Sequence, residues 1–306
     1  MNIGVMTGGA IDMLGIDKGF EAIKNAGFEV VDFNLDTYFI HKYNMDEETL
    51  EKHRDEEAFR AYIDEVRAAA KKYGITFGQF HAPFPSYIVN KPENTTVMRE
   101  AIRKSIIACG ECGCSHIVVH PSCDGNMRNL TLTKEEEYAE NIAFYSSLIP
   151  LLKEYHVTCC LENMWGQDSR SKKAYICSCS DAEEANRYID ELNAIAGEKY
   201  FAFCLDIGHL IMLGLDPCIF IEEMGNRIEA LHVHDNDGFH DDHTAPFMGV
   251  TNWDRFIKGL RSIGYRGNIS FETSHFNLLF PKELIPDALK LLGATANYFR
   301  DKVLAE

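Results

Sequence analysis

The sequence predicts an α/β fold and, within that class, a single (β/α)8 barrel, or TIM barrel, that forms one domain over residues 1–306. Short runs rich in β-branched residues alternate with longer amphipathic segments eight times, a pattern typical of parallel strands with helices packed outside them. Eight such units are the number that closes into a barrel. An open, doubly wound sheet would normally carry a glycine-rich phosphate-binding turn after its first strand, and Thr7-Gly8-Gly9-Ala10 lacks that spacing.

The runs predicted as barrel strands are short and apolar, and polar or turn-forming residues follow them. No linker rich in Pro, Gly or Ser separates one group of strands from another, so we assign all of them to one sheet. In chain order, the strands are predicted at residues 3–6, 29–34, 76–80, 116–119, 157–161, 201–205, 228–233 and 268–271.

The segments between the strands have the apolar periodicity of helices that cover the sheet. Their ends agree with known capping patterns. Thr133 and Glu136 form a capping box, and Gly74, Gly113 and Gly264 follow helix ends. In chain order, the helices are predicted at residues 17–26, 56–73, 95–112, 133–155, 181–195, 216–224, 253–263 and 282–300.

The composition narrows the range of partners. The chain has 30 Lys and Arg against 47 Asp and Glu, a net charge of −17 at pH 7. Such a surface repels a phosphate backbone, so nucleic acid is not expected as a partner. No stretch reaches the ~18–20 apolar residues of a membrane helix, and the first residues lack the basic segment of a secretory signal. The ten cysteines lie mostly in apolar runs, so we expect a reduced, cytoplasmic protein without a membrane partner, and leave a homo-oligomer open.

Ionisable side chains stand at the predicted ends of six successive strands, from the third to the eighth. One His after a strand is commonly a turn residue, and one Glu commonly caps the next helix. Six ionisable strand ends in succession are not explained by turns and helix caps. The strand ends converge on the barrel mouth, where crowded carboxylates are unfavourable without a cation. Imidazole and carboxylate ligands suit divalent metals, so we expect Mn²⁺, Co²⁺, Mg²⁺ or Zn²⁺ as cofactor. The residues are His81, His120, Glu162, Asp206, His209, His232, His234, Asp241, His243 and Glu272.

Six short motifs carry these residues, one at each strand end and in chain order. Together they resemble the xylose isomerase-like TIM-barrel superfamily, which contains sugar phosphate isomerases and epimerases and the zinc-dependent AP endonucleases of family 2. The resemblance runs from the first strand to the last helix and implies the barrel fold, but it is far less specific for a substrate. The motifs are His81-Ala82-Pro83-Phe84, Val119-His120-Pro121, Leu161-Glu162-Asn163, Leu205-Asp206-Ile207-Gly208-His209, Leu231-His232-Val233-His234-Asp235 and Phe271-Glu272-Thr273.

The two branches of the superfamily imply different metal sites. In the epimerase branch, the resemblance implies one divalent metal ion held by Glu162, Asp206, His232 and Glu272. That ion chelates adjacent oxygens of an open-chain ketose, while Glu162 and Glu272 act as acid and base on opposite faces. In the endonuclease branch, it implies three zinc ions bound by the same four residues and five others. The five others are His81, His120, His209, Asp241 and His243.

We expect the first branch, a metal-dependent isomerase or epimerase of carbohydrate metabolism acting on a small sugar or sugar phosphate. Its chemistry is proton transfer next to a carbonyl, with Glu272 taking the proton and Glu162 delivering one. The acidic stretch at residues 235–242 suits a small sugar better than DNA. A multi-zinc phosphodiesterase or endonuclease-like hydrolase stays the alternative, and a sugar-binding barrel without catalysis is a third. The expected substrate contacts are His81, Phe84, Trp165 and His209.

The chain departs from the superfamily after the seventh strand. Members of both branches commonly have Gly-x-Gly there, whereas this chain has Pro246-Phe247-Met248-Gly249. Two interpretations of Phe247 follow. It either narrows the mouth and stacks against the substrate, or packs with Met248 as a hydrophobic lid.

Overall fold

The computed structural model describes residues 1–39, 47–123 and 132–305. Eight of its strands form one parallel sheet, and two others form a separate antiparallel hairpin. The strands are β1 (Ile3–Met6), β2 (Val30–Asn34), β3 (Thr76–His81), β4 (His116–Val119), β5 (Thr158–Glu162), β6 (Trp165–Gln167), β7 (Ala174–Ile176), β8 (Phe201–Asp206), β9 (Ile228–His232) and β10 (Ile269–Phe271).

The sheet curls into a nearly closed barrel. Its strand order is β10-β1-β2-β3-β4-β5-β8-β9, so neighbours in the chain are neighbours around the wall once the β6–β7 hairpin is set aside. The two ends of the sheet meet at a parallel bridge between Val233 and Phe271, where the Val233 amide donates to the Ser270 carbonyl at 2.9 Å. The predicted (β/α)8 barrel is therefore confirmed.

Helices flank the barrel between its strands, as the periodicity predicts. None of the described helices is long and apolar enough to cross a membrane. The described helices are α1 (Ala10–Leu14), α2 (Ile16–Asn25), α3 (Glu47–Arg54), α4 (Glu56–Tyr73), α5 (Pro92–Glu111), α6 (Lys134–Ser146), α7 (Ile149–Tyr155), α8 (Ala182–Ala196), α9 (Ile207–Met212), α10 (Pro217–Met224), α11 (Trp253–Ser262), α12 (Ser274–Leu278) and α13 (Ile285–Leu304).

Two predicted helices are each divided. The segment predicted at 133–155 forms α6 and α7, because Pro150 occupies the first turn of α7 and cannot donate the hydrogen bond that would continue α6. The segment predicted at 282–300 begins as a 3-10 turn, Lys282–Leu284, and becomes α13 next to Pro286. The capping box of Thr133 with Glu136 is present at the start of α6.

The sequence did not predict the short elements on the mouth side of the barrel. The β6–β7 hairpin follows β5 and carries Trp165, while α9 follows β8 directly and α12 begins two residues after β10. These elements have three to six residues each, which is too short for a periodic pattern to identify them. They shape the surface above the strand ends.

The interior divides into two layers because side chains alternate along each strand. Large residues point outward into the main core between strands and helices. Small residues from four adjacent strands form a second cluster inside the barrel, below the mouth. That cluster consists of Val118, Cys160, Ala202, Cys204 and Ala230. All ten cysteines are free.

A buried carboxylate organises the long loop that follows β9. Asp235 is fully buried and accepts hydrogen bonds from the Thr251 amide (3.1 Å) and hydroxyl (2.7 Å) and from the Phe247 amide (3.0 Å). The Trp253 indole lies 3.3 Å from the same carboxylate. These bonds tie the far end of the loop, residues 236–251, back to the strand from which it starts.

The same loop accounts for the departure at Phe247. Phe247 has a φ of 74°, a left-handed conformation that favours glycine, which is the residue common there in the superfamily. Its ring stacks on Phe299 of α13, with centroids 5.5 Å apart and planes 7° apart. Of the two interpretations, the ring's position agrees with packing, here against α13, and Phe247 and Met248 both remain more than half exposed. Gly249 is retained, and a Cβ there would lie 2.1 Å from the Asn236 carbonyl oxygen.

We predict that Asp235→Ala lowers the free energy of unfolding by at least about 2 kcal/mol, because it leaves several buried donors without an acceptor. The measurement is urea unfolding followed by circular dichroism. Asp237→Ala is the matched control, because Asp237 is exposed and closes only a local turn. Equal loss in both variants would contradict the role assigned to Asp235.

Candidate metal centre

Four acidic and imidazole side chains meet at the carboxyl ends of adjacent strands. Glu162, Asp206 and His232 are the last residues of β5, β8 and β9, and Glu272 directly follows β10. One ligand atom from each lies within 4.8 Å of the others, and all four side chains are buried. These are the four residues that the resemblance assigned to a single metal ion.

The contacts inside this cluster centre on one imidazole. The Nδ1 atom of His232 lies 3.1 Å from Glu162 Oε1 and 3.3 Å from Glu272 Oε2. Among the described residues, His232 Nδ1, Glu162 Oε2 and Glu272 Oε2 are buried atoms that have no aligned hydrogen-bond partner. Buried polar atoms are normally satisfied, so this donor set fits a divalent cation that would take these atoms as ligands.

Two further histidines approach the cluster from β3 and β4. The Nε2 atom of His120 lies 3.2 Å from Glu162 Oε2, and that of His81 lies 3.9 Å from Glu272 Oε1. His81 Nδ1 is 2.9 Å from the Ala82 carbonyl oxygen, which can only accept, so Nε2 is left as the ligand atom. Ligand atoms of His81, His120 and Glu162 lie within 4.8 Å of one another, close enough to bind one metal ion.

A third group lies where the loop after β9 reaches the mouth. Asp241 Oδ2 lies 3.2 Å from His243 Nε2 and 3.3 Å from His209 Nε2. The ring of His243 stacks on that of His234, with centroids 4.1 Å apart. Ligand atoms of His234, Asp241 and His243 lie within 4.8 Å of one another, so this group also has the compactness of a metal site.

The electrostatics reflect the crowding of carboxylates. Burial raises the pKa of Glu272 to about 8, although His232 and His243 oppose the shift. Burial also disfavours charge on Glu162, but His232 and His120 outweigh it and hold the pKa of Glu162 well below its usual range. Burial disfavours charge on His243 too, yet the neighbouring carboxylates raise its pKa to about 10. These shifts reflect carboxylates crowded in a buried site, where a cation would favour their charged forms.

A second layer of buried polar residues supports His232. Asp32 Oδ2 lies 3.1 Å from His232 Nε2 and accepts a hydrogen bond from Gln79 Nε2 at 2.8 Å. Sequence reasoning missed both residues. The signal for Asp32 was present, since it is an acid in the middle of the apolar strand β2 and is fully buried.

Two residues of the four-residue cluster, Glu162 and Glu272, and five other candidate ligands line a cleft of about 400 Å³ at the barrel mouth. Phe84 and Trp165 form part of its walls, and Trp165 Nε1 lies 3.4 Å from Asp241. Asn34, the last residue of β2, and Asp36, two residues later, line the cleft and were not predicted. The lining residues are Asn34, Asp36, His81, Phe84, His120, Glu162, Met164, Trp165, Gly166, Gln167, His209, Asp241, His243 and Glu272.

Among known proteins, the chain matches one family model and resembles several relatives at low identity or over a short part of their length. The model of the family described as xylose isomerase-like TIM barrel matches residues 20–295. The chain is 24% identical over 259 residues to a probable endonuclease 4 of Acholeplasma laidlawii, which covers 79% of this chain and 81% of that protein. A match of 36% identity over 94 residues, to an uncharacterized protein of Sinorhizobium fredii, spans 31% of this chain and 30% of that protein.

Solved structures with the same fold include sugar epimerases. The 3-keto-D-glucoside 4-epimerase YcjR from E. coli is 18% identical, with a TM-score of 0.71 over 96% of this chain and 99% of that one. The IolI protein, solved with a zinc atom bound, is 17% identical, with a TM-score of 0.72 over 100% of both chains. Because its family match extends over residues 20–295, the chain belongs to the xylose isomerase-like TIM barrel family.

Proposed function

We propose that the protein is a divalent-metal-dependent isomerase or epimerase of a small sugar or sugar phosphate. The observation that carries the proposal is the pair Glu162 and Glu272, whose carboxylates approach the same His232 nitrogen within 3.3 Å and also line the cleft. Two carboxylates beside a candidate metal centre can serve as the base and the acid that proton exchange next to a carbonyl requires. The sugar epimerases among the similar structures support this class of reaction.

Glu162, Asp206, His232 and Glu272 would hold the metal ion. When bound, a divalent ion supplies Lewis-acid stabilisation of the negative charge that develops on the substrate oxygen. In its charged form Glu272 removes a proton from the carbon next to the carbonyl, and Glu162 in its protonated form delivers one to the other face. The raised pKa of Glu272 and the lowered pKa of Glu162 favour the opposite direction, in which Glu162 removes the proton and Glu272 delivers one. The two glutamates exchange roles between the two directions. Each ends the reaction in one direction with the protonation state that the other direction requires. Return of the proton to the neighbouring carbon instead gives an aldose–ketose shift.

The remaining cleft residues would bind the substrate. Phe84 and Trp165 offer apolar surfaces for the C–H faces of a sugar. Asp36 accepts a hydrogen bond from the Phe84 amide at 2.9 Å through Oδ1, and its carboxylate also lines the cleft. A carboxylate there is suited to accept bonds from sugar hydroxyls. His81 and His209 complete the proposed contacts from two sides of the cleft.

A multi-zinc hydrolase is the second candidate. It is favoured by the two additional metal-type groups and by the likeness to a probable endonuclease 4. The charge of −17 weighs against a nucleic acid substrate. Arg255, one of the few basic residues near the mouth loops in sequence, is held in an ion pair by Asp216 at 2.7 Å.

We predict that Glu272→Gln and Glu162→Gln each lower turnover by about 10²-fold or more on whichever ketose the parent converts. Metal content should stay near that of the parent, because Gln keeps an acceptor oxygen but cannot exchange the proton. The measurements are turnover on a panel of ketoses in D₂O, deuterium incorporation next to the carbonyl by NMR, and metal content. Glu65→Gln, an exposed change on α4, is the matched control.

The parent and the control should incorporate deuterium, and the two glutamine variants should not. Full turnover in both glutamine variants on the same substrate would refute the two-glutamate mechanism. A parent loaded with metal that exchanges no ketose proton would favour the hydrolase instead.

We predict that the metal-loaded protein does not incise a duplex containing an abasic site at physiological salt, because its acidic surface disfavours the phosphate backbone. The measurement is cleavage of a labelled abasic duplex, with an authentic AP endonuclease as the positive control and an undamaged duplex as the negative one. Efficient, metal-dependent incision would reverse the order of the two candidate functions.

A further inference from the structure

His234 stands two residues after His232 and is fully buried, yet it belongs to none of the ligand sets that the resemblance implies. Its Nε2 atom lies 3.1 Å from Asp206 Oδ1 and 3.0 Å from Asp206 Oδ2. Asp206 Oδ1 also accepts the backbone N–H of His209 at 2.8 Å. The carboxylate of Asp206 is therefore held by two donors from the protein.

The chain around His234 is shaped to hold its ring in this place. A Cβ on Gly208 would lie 2.0 Å from His234 Cε1 and 2.6 Å from its Nδ1, so only glycine leaves room for the ring. The ring also stacks on His243, with planes 11° apart. Backbone and ring contacts together leave the imidazole little freedom to turn away from Asp206.

We infer that His234 is a positioning residue, which donates its Nε2–H to Asp206 and aims that carboxylate at the metal centre. The inference rests on the proposed metal-dependent function. A carboxylate only accepts, so this contact requires the tautomer with the proton on Nε2. Through its stacking on His243, the same ring links Asp206 to the loop that carries Asp241.

The test compares metal binding by the parent, His234→Ala, His234→Gln and the control His240→Ala. His240 is an exposed histidine of the same loop, and Gln can place an N–H close to the position of Nε2. We predict that His234→Ala binds Zn²⁺ and Co²⁺ about 10- to 100-fold more weakly with unchanged stoichiometry and an altered Co²⁺ absorption spectrum, and that His234→Gln recovers most of the affinity. Calorimetric titration and Co²⁺ absorption are the measurements.

The outcomes separate the inference from the function on which it rests. A parent that binds none of Zn²⁺, Co²⁺, Mn²⁺ and Mg²⁺ would refute the proposed function. A parent that binds metal, with equal affinity and spectrum in His234→Ala, would refute only the role of His234. Loss of one bound ion per chain in His234→Ala would make His234 a ligand and so also refute it.

A second measurement does not depend on the folding of any variant. The ¹⁵N shifts of His234 in the unaltered protein report its tautomer, and we expect a proton on Nε2 both before and after Zn²⁺ is added. A proton on Nδ1, or a shift typical of a metal-bound Nε2, would contradict the inference.

Discussion

The contact of Glu162 and Glu272 with one imidazole nitrogen is the constraint on which the mouth of the barrel depends. Two buried carboxylates within 3.3 Å of His232 Nδ1 cannot both be charged without a compensating positive charge. The fold imposes this proximity, because parallel strands deliver their last residues to one ring. A barrel stabilised by apolar packing alone has no need of such a cluster, so its presence is best understood as a provision for a cation.

The residues around the cluster serve to hold it in one arrangement. Asp32 and Gln79 lie behind His232, while His234 holds Asp206. Asp235 fixes the path of the loop after β9, which brings further imidazole and carboxylate groups to the rim. Each support is buried and lies on a barrel strand or within three residues of its end, so the candidate ligands are positioned by the barrel wall.

The sequence was sufficient to predict the barrel and the strand-end residues, because alternation of elements and ionisable strand ends are local patterns. It could not identify the role of His234, which depends on the absence of a side chain at Gly208, far away in the chain. Asp32 itself carried a signal, as an acid within an apolar strand, but its partner His232 lies on a distant strand and could not be assigned from the sequence. The short hairpin carrying Trp165 lacks a periodic signal. The break before α7 could have been predicted from the sequence, because Pro150 cannot donate the hydrogen bond that would continue the preceding helix.

Glu162 takes part in both the single-ion and the multi-ion interpretation of the site. It belongs both to the four-residue cluster and to the group with His81 and His120, so an ion in either group uses the same carboxylate. The third group contains no residue of the other two and depends on the loop that Asp235 anchors. His234 joins this group to Asp206 of the four-residue cluster, so an ion bound there would act on both. The strand ends of the barrel wall thus supply the first two candidate groups, and the third depends on the loop after β9.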